Sequence, residues 1–184
     1  MDRVADGLDA ALQKAFTRPI PKSAGAQVRY LVKQLKSTRA VAGLLGVTQR
    51  TVERYVKDQI KRPRPDLAQR LEREVAKRWQ PQIRAKAKQN AATTGGIVID
   101  TRARFGYTAA PGTTDDARLR HLTLALPPQY AARLFEAKDA GGTEQQLRNI
   151  AAEALGEVYF RDSGRRAHGL EVEFTDLEHL EFDL

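Results

Sequence analysis

The chain contains no cysteine. A disulfide framework, a thiolate metal site and a cysteine nucleophile are thereby excluded. Its histidines, His121, His168 and His179, are scattered and cannot complete a zinc site alone. No run approaches the roughly 18 consecutive apolar residues that a membrane span requires. The opening Met1-Asp2-Arg3-Val4-Ala5-Asp6 also lacks the basic-then-apolar order of a secretory signal. A cytoplasmic protein without membrane contact is expected. A glycine-rich phosphate loop is missing too, because Gly95-Gly96 and Gly141-Gly142 have neither its spacing nor its lysine. The histidines stand in no Ser-His-Asp context and are expected at the surface.

What is present is a chain of 184 residues, 41% hydrophobic and 29% charged, enough for one ordinary domain or two small ones. Its net charge of +8 is unevenly placed. Residues 1–92 hold 21 Lys/Arg against 8 Asp/Glu and residues 93–184 hold 10 against 15, so the halves carry +13 and −5. Such asymmetry points to one half meeting a polyanion, nucleic acid first among them, while the other half does something else.

Periodicity divides the chain in the same way. Val4, Leu8, Ala11, Leu12, Ala15 and Phe16 recur at helical spacing until Thr17-Arg18-Pro19. Ser23 can cap a second helix with Val28, Leu31, Val32 and Leu35 on one face. Asp66 opens a long helix through Leu67, Leu71, Val75 and Trp79, which Pro81 should kink or break. Asn90 to Gly96 is small and polar and reads as the boundary. Beyond it the period is two: Ile97-Val98-Ile99 starts a strand reaching toward Tyr107, and Leu122, Leu124 and Leu126 mark a second that stops at Pro127-Pro128. Helices follow from Pro128 and from Thr143, the latter with a capping box to Gln146. Leu170 to Phe174 could add an edge strand, and the rest of the acidic C-terminal stretch is expected to be a solvated tail. The expected class is α+β: an all-α N-terminal half, residues 1–92, then a small α+β half, residues 93–184, with a strand pair, two helices and an acidic tail.

Within the basic half, residues 38–57 fit a helix-turn-helix. Val41, Leu45, Val47, Val52 and Tyr55 fall where that motif buries apolar side chains, and Ala42 and Gly46 fall where the crossing and the turn need small ones. Thr48 would cap the second helix, leaving Gln49, Arg50, Glu53, Arg54 and Lys57 on its outer face for a major groove. Gln and Arg make bidentate contacts with adenine and guanine edges. Lys61, Arg62 and Arg64 follow at once, groups that hold phosphates without reading sequence, although a solvated linker would have the same composition.

In the acidic half, Pro111-Gly112-Thr113-Thr114-Asp115-Asp116 sets two hydroxyls beside two carboxylates between the predicted strands. Such a loop can present an attacking group to a partner's active site, or its Thr114 and Asp115 can merely cap a turn. The second half can also be read as the dimerisation or effector domain of a helix-turn-helix transcriptional regulator, since a strand from Arg118 to Leu126 followed by two helices has a ribbon-helix-helix order.

Taken together, the basic helix-turn-helix through Ala42, Gly46, Val47 and Val52 with Gln49-Arg50-Thr51, the Ile97-Val98-Ile99-Asp100 strand and the Pro111 to Asp116 loop resemble the telomere terminal proteins of linear actinomycete chromosomes and plasmids. The resemblance extends over all 184 residues. It implies a protein primer bound covalently to 5′ DNA ends, with Thr114 at the position of the family's priming threonine and Thr113 its nearest competitor. Asp115 and Asp116 could orient the hydroxyl, share a polymerase metal or cap a turn. The chain would not be an enzyme and would hold no metal or cofactor of its own. The deoxynucleotide and the divalent metal ions would come with a partner DNA polymerase. Further partners implied are telomeric DNA with its single-stranded 3′ overhang and a telomere-associated recruiting protein, placing the chain on the nucleoid at replicon ends.

Overall fold

The computed structural model describes residues 4–108, 119–160 and 171–184. The chain divides into two compact units, residues 17–81 and residues 1–16 together with 82–184. Among the described residues no helix is long and apolar enough to cross a membrane.

The unit of residues 17–81 is all helical. Helix α1, Val4–Lys14, belongs to the other unit, so this one begins with α2, Ala24–Leu35, and continues with α3, Thr38–Leu45, α4, Gln49–Val56, and α5, Pro65–Arg78. Hydroxyls begin three of these helices: Ser23, Ser37 and Thr48 accept from the backbone N–H groups of Ala26, Ala40 and Thr51 at 3.3, 3.2 and 3.2 Å. Each satisfies a donor that the first turn would otherwise leave open. Gly46 ends α3 at φ 63°, the left-handed conformation that a residue without Cβ adopts most readily. The core is Val28 and Leu31 of α2, Val41 and Leu45 of α3, Val52 and Tyr55 of α4, and Leu71 and Val75 of α5. Burying each aliphatic side chain is worth about 1.5–3 kcal/mol, and the helical spacing of the four sets is what brings them to one centre. Trp79 ends α5, packs against Tyr30 with ring centroids 4.7 Å apart and planes tilted by 59°, and donates from Nε1 to the Arg18 carbonyl at 3.0 Å. Gln80 exchanges two hydrogen bonds with Thr17, so both ends of the unit are clasped together.

The second unit is an antiparallel sheet with helices on one face. Helix α6, Pro81–Asn90, leads through a π-helical turn, Ala91–Gly95, into β1, Ile97–Thr108. Strand β2, Leu119–Leu126, helix α7, Pro128–Asp139, helix α8, Glu144–Leu155, a second π-helical turn, Gly156–Phe160, and β3, Glu171–Asp183, follow. The strand order is β2-β1-β3. Ile97, Ile99, Thr101, Ala103 and Phe105 alternate inward along β1, in one core with the apolar sides of α1, α7 and α8, and their outward neighbours Val98, Arg102 and Arg104 are exposed. The two-residue period of a half-covered strand produces this pattern. The capping box at Thr143 and Gln146 is present in both directions.

Three sequence expectations are corrected. The division at residue 92 fails because Val4, Leu8 and Leu12 of α1 are buried in the sheet unit's core, which places the first helix with the second unit. Asn90 to Gly96 is not the boundary: it lies within the second unit, Ala91 is buried in that same core, and the turn leads directly into the sheet. The acidic C-terminal stretch is not a solvated tail, since β3 runs to Asp183, pairs with β1 along its length and buries Leu180 and Phe182. The strand pair is therefore a three-stranded sheet. The acidic side chains misled because they hold outer positions of the strand, and because two register shifts against β1 break the two-residue period, so that the inner row runs Val172, Phe174, Leu177, Leu180 and Phe182.

Candidate nucleic-acid interface

The helical unit concentrates positive charge: residues 17–81 hold 16 Lys/Arg against 5 Asp/Glu, a net +11, which leaves −3 for the rest of the chain. Division by unit keeps the sign of the asymmetry that division at residue 92 gave but makes it smaller, because Arg3, Lys14, Arg84, Lys86 and Lys88 fall in the sheet unit.

The orientation of α4 follows from its caps and its core. Thr48 fixes where the helix starts, and Val52 and Tyr55, three residues apart, are 0% and 4% exposed against α2, α3 and α5. With that side fixed inward, the 3.6-residue period turns Gln49, Arg50, Glu53, Arg54 and Lys57 outward, and all five are exposed. Arg50, Arg54 and Lys57 have no salt-bridge partner among the described residues. Gln49 does have one commitment, donating from Nε2 to Glu53 Oε1 at 3.1 Å, so this carboxylate holds the glutamine along the helix. Burial pushes the Tyr55 phenol above its usual range while the charge of Arg54 pulls it down, and the ring stays neutral at physiological pH. Lys61, Arg62 and Arg64 are exposed in the connection between α4 and α5. The structure therefore brings the DNA-binding candidates, Thr48 through Arg64, onto one helix and the segment after it.

The hydroxyl-loop candidates Thr113, Thr114, Asp115 and Asp116 lie outside the described residues, between the end of β1 and the start of β2. Those strands are antiparallel neighbours, registered from Ile97 opposite Leu126 to Arg104 opposite Leu119.

Two arrangements had no sequence signal. Thr51 shares a 2.9 Å hydrogen bond with Thr48 through their hydroxyls, a pairing that follows from the i, i+3 geometry of the cap. On the open face of the sheet, His121 Nε2 lies 3.1 Å and His179 Nε2 3.5 Å from Asp100 Oδ1, and the Thr123 hydroxyl donates to the other carboxylate oxygen. The Thr123 hydrogen bond first, then that of His121, holds the Asp100 carboxyl below the usual carboxylate range. The group joins all three strands and becomes visible only once their register is known. His168 lies outside the described residues. Among the described residues, no group of three or more His, Asp or Glu is arranged to hold a metal ion.

Comparison of the chain with family models, with curated proteins and with solved structures gives no match.

Proposed function

We propose that the chain is a DNA-end protein of the telomere terminal type: the helical unit docks α4 in a major groove, and the sheet unit offers Thr114 as the acceptor for the first deoxynucleotide of a protein-primed strand. The observation that carries this reading is the outward face of α4, with Arg50, Arg54 and Lys57 free of salt bridges among the described residues, on a unit of net charge +11. Arginine is the side chain that reads a guanine edge by two parallel hydrogen bonds, and Lys61, Arg62 and Arg64 supply the phosphate contacts that set register on the duplex.

The priming role rests on the resemblance described above and on elementary chemistry. A threonine hydroxyl is a poor nucleophile near neutrality, so the partner polymerase's metal ions activate it and neutralise the triphosphate. The Thr114 oxygen gives its proton to a base or water of the polymerase site and attacks the α-phosphorus in line. An oxygen–phosphorus bond forms to the deoxynucleotide and pyrophosphate leaves. The chain itself need only position the group, which can contribute a large part of the rate. A telomere-associated recruiting protein and the DNA polymerase complete the assembly.

Intact mass of the protein recovered from chromosome or plasmid ends, after exhaustive nuclease digestion, tests the proposal. A retained nucleotide supports it. A bare polypeptide mass would favour a helix-turn-helix transcriptional regulator whose second unit serves dimerisation or effector binding.

A further inference from the structure

Between the α3–α4 turn and the start of α5, wholly within the helical unit, lies an open groove of about 540 Å³. Its polar lining is unusually one-sided, with Arg62, Arg64 and Arg70 against a single carboxylate, Asp66. The hydroxyls of Thr48 and Thr51 stand in the same lining. Val47, Ile60 and Leu67 give it an apolar wall, each half-buried and so still partly open to solvent. Arg70 is held in place by donating to the Leu45 carbonyl at 2.5 Å, and a guanidinium with five N–H groups retains further donors.

Size and lining together restrict the occupant. The volume is within the range of about 300–1,000 Å³ typical of small-ligand sites. A bare phosphate ion would satisfy the arginines but leave the apolar wall uncovered. A base within a duplex cannot reach that wall, because its faces are stacked and its pairing edge is occupied. An unpaired nucleotide meets both requirements, an anion for the guanidinium groups and a flat, weakly polar ring for the aliphatic wall.

We propose that this groove receives one unpaired deoxynucleotide, its phosphate on Arg62 and Arg64 and its base against Val47, Ile60 and Leu67. The inference rests on the DNA-binding reading of α4 and extends it, because a helix that holds the duplex and an adjoining groove that takes an unpaired nucleotide together select the junction of double and single strands. The same chemistry could come from a free nucleotide, and the experiment separates the two sources.

Fluorescence anisotropy of the full chain is measured with a blunt duplex, with the same duplex carrying a single-stranded 3′ extension, and with a fluorescent deoxyadenosine triphosphate. If the extension is the source, it raises affinity about tenfold over the blunt duplex. Ile60→Trp, which fills the groove, removes that gain and leaves blunt-duplex affinity unchanged. Saturable binding of the free nucleotide, lost in Ile60→Trp, with no gain from the extension, supports the groove with a free nucleotide as its occupant. Should Ile60→Trp lose its circular dichroism signature, Leu67→Gln, which makes the wall polar without enlarging it, takes its place. Equal affinity for blunt and extended duplexes with no nucleotide binding overturns the proposal while leaving the role of α4 intact. Retention of the gain in both groove variants also overturns it. Failure to bind any of the DNA forms counts against the DNA-binding reading itself, and the nucleotide titration then decides the groove alone.

Discussion

Arg70 of α5 donates to the carbonyl of Leu45, the last residue of α3, immediately before Gly46 turns the chain toward α4. The turn is thus fixed from two sides, by a left-handed glycine and by a guanidinium from another helix. A Cβ at Gly46 would lie 2.7 Å from Arg70 Nη1 in addition to adopting φ 63°. Gly46→Ala should cost about 1–2 kcal/mol from the backbone conformation alone, with more from displacing Arg70. Gly43, inside α3, has open space where a Cβ would go, so Gly43→Ala should instead add about 0.5–1 kcal/mol. Urea denaturation of the two variants should move in opposite directions.

Function and stability should separate along α4. Arg50→Ala removes an exposed side chain and should weaken duplex binding by about 1–3 kcal/mol if it makes one good base contact, with the thermal melt nearly unchanged. Val52→Ala empties part of the core between four helices and should lower stability by about 1 kcal/mol or more. Melts and titrations of both variants check the register; equal thermal losses would contradict it.

Residues 17–81 should fold and bind DNA as an isolated unit, because their core is their own and Gln80 and Trp79 clasp Thr17 and Arg18. A fragment ending at residue 92 carries α1 without the sheet that buries Leu8 and Leu12, and should be the less soluble of the two. Affinity of the 17–81 fragment should fall steeply with salt, and Arg62→Ala or Arg64→Ala should reduce the log-log slope by about 1 per lost phosphate contact. Heteronuclear spectra and salt titrations of the fragment test both statements.

Acid should weaken the sheet unit through Asp9. Its carboxylate on α1 accepts from Arg84 of α6 at 2.9 Å and pairs with Lys138 of α7 at 2.5 Å. Burial pushes its pKa up, but the hydrogen bonds and charges of Lys138 and Arg84 outweigh that and hold it below the usual range. A depressed folded value means stability that is complete above the unfolded pKa of about 3.9 and is lost as pH falls through the folded one. Asp9→Ala removes the carboxylate that Arg84 and Lys138 share, from side chains only 12% and 15% exposed. The expected loss at pH 7 is about 3 kcal/mol, at the low end for a broken buried pair because some solvent reaches it. The difference between parent and variant should shrink toward pH 3, which thermal melts across that range would show.

The helical unit was legible because its signals are local. Caps at Ser23 and Thr48, the small residues Ala42 and Gly46, and apolar residues three or four apart all act within a turn or two of the chain. Strand β1 and the helices after Pro128 and Thr143 were legible for the same reason. What escaped depends on distant pairing. Nothing near Val4 announces that α1 packs on β3, nearly the whole chain away, and the inner row of β3 is masked by Glu173, Glu178 and Glu181 on its outer positions. The Asp100, His121 and His179 cluster needs the register of three strands. The α4 face was placed correctly from sequence, while the groove beside it required the position of α5.

The central claim is tested most directly by label transfer from a radioactive deoxynucleoside triphosphate to the full chain in the presence of the partner DNA polymerase. The account predicts that Thr114→Ala abolishes transfer, that Thr113→Ala leaves some, and that Thr114→Ser retains it because the attacking oxygen survives. The bond formed should be cleaved by alkali through β-elimination, a route closed to a tyrosine linkage such as one at Tyr107. Full labelling of folded Thr114→Ala protein, or an alkali-stable bond, would contradict it.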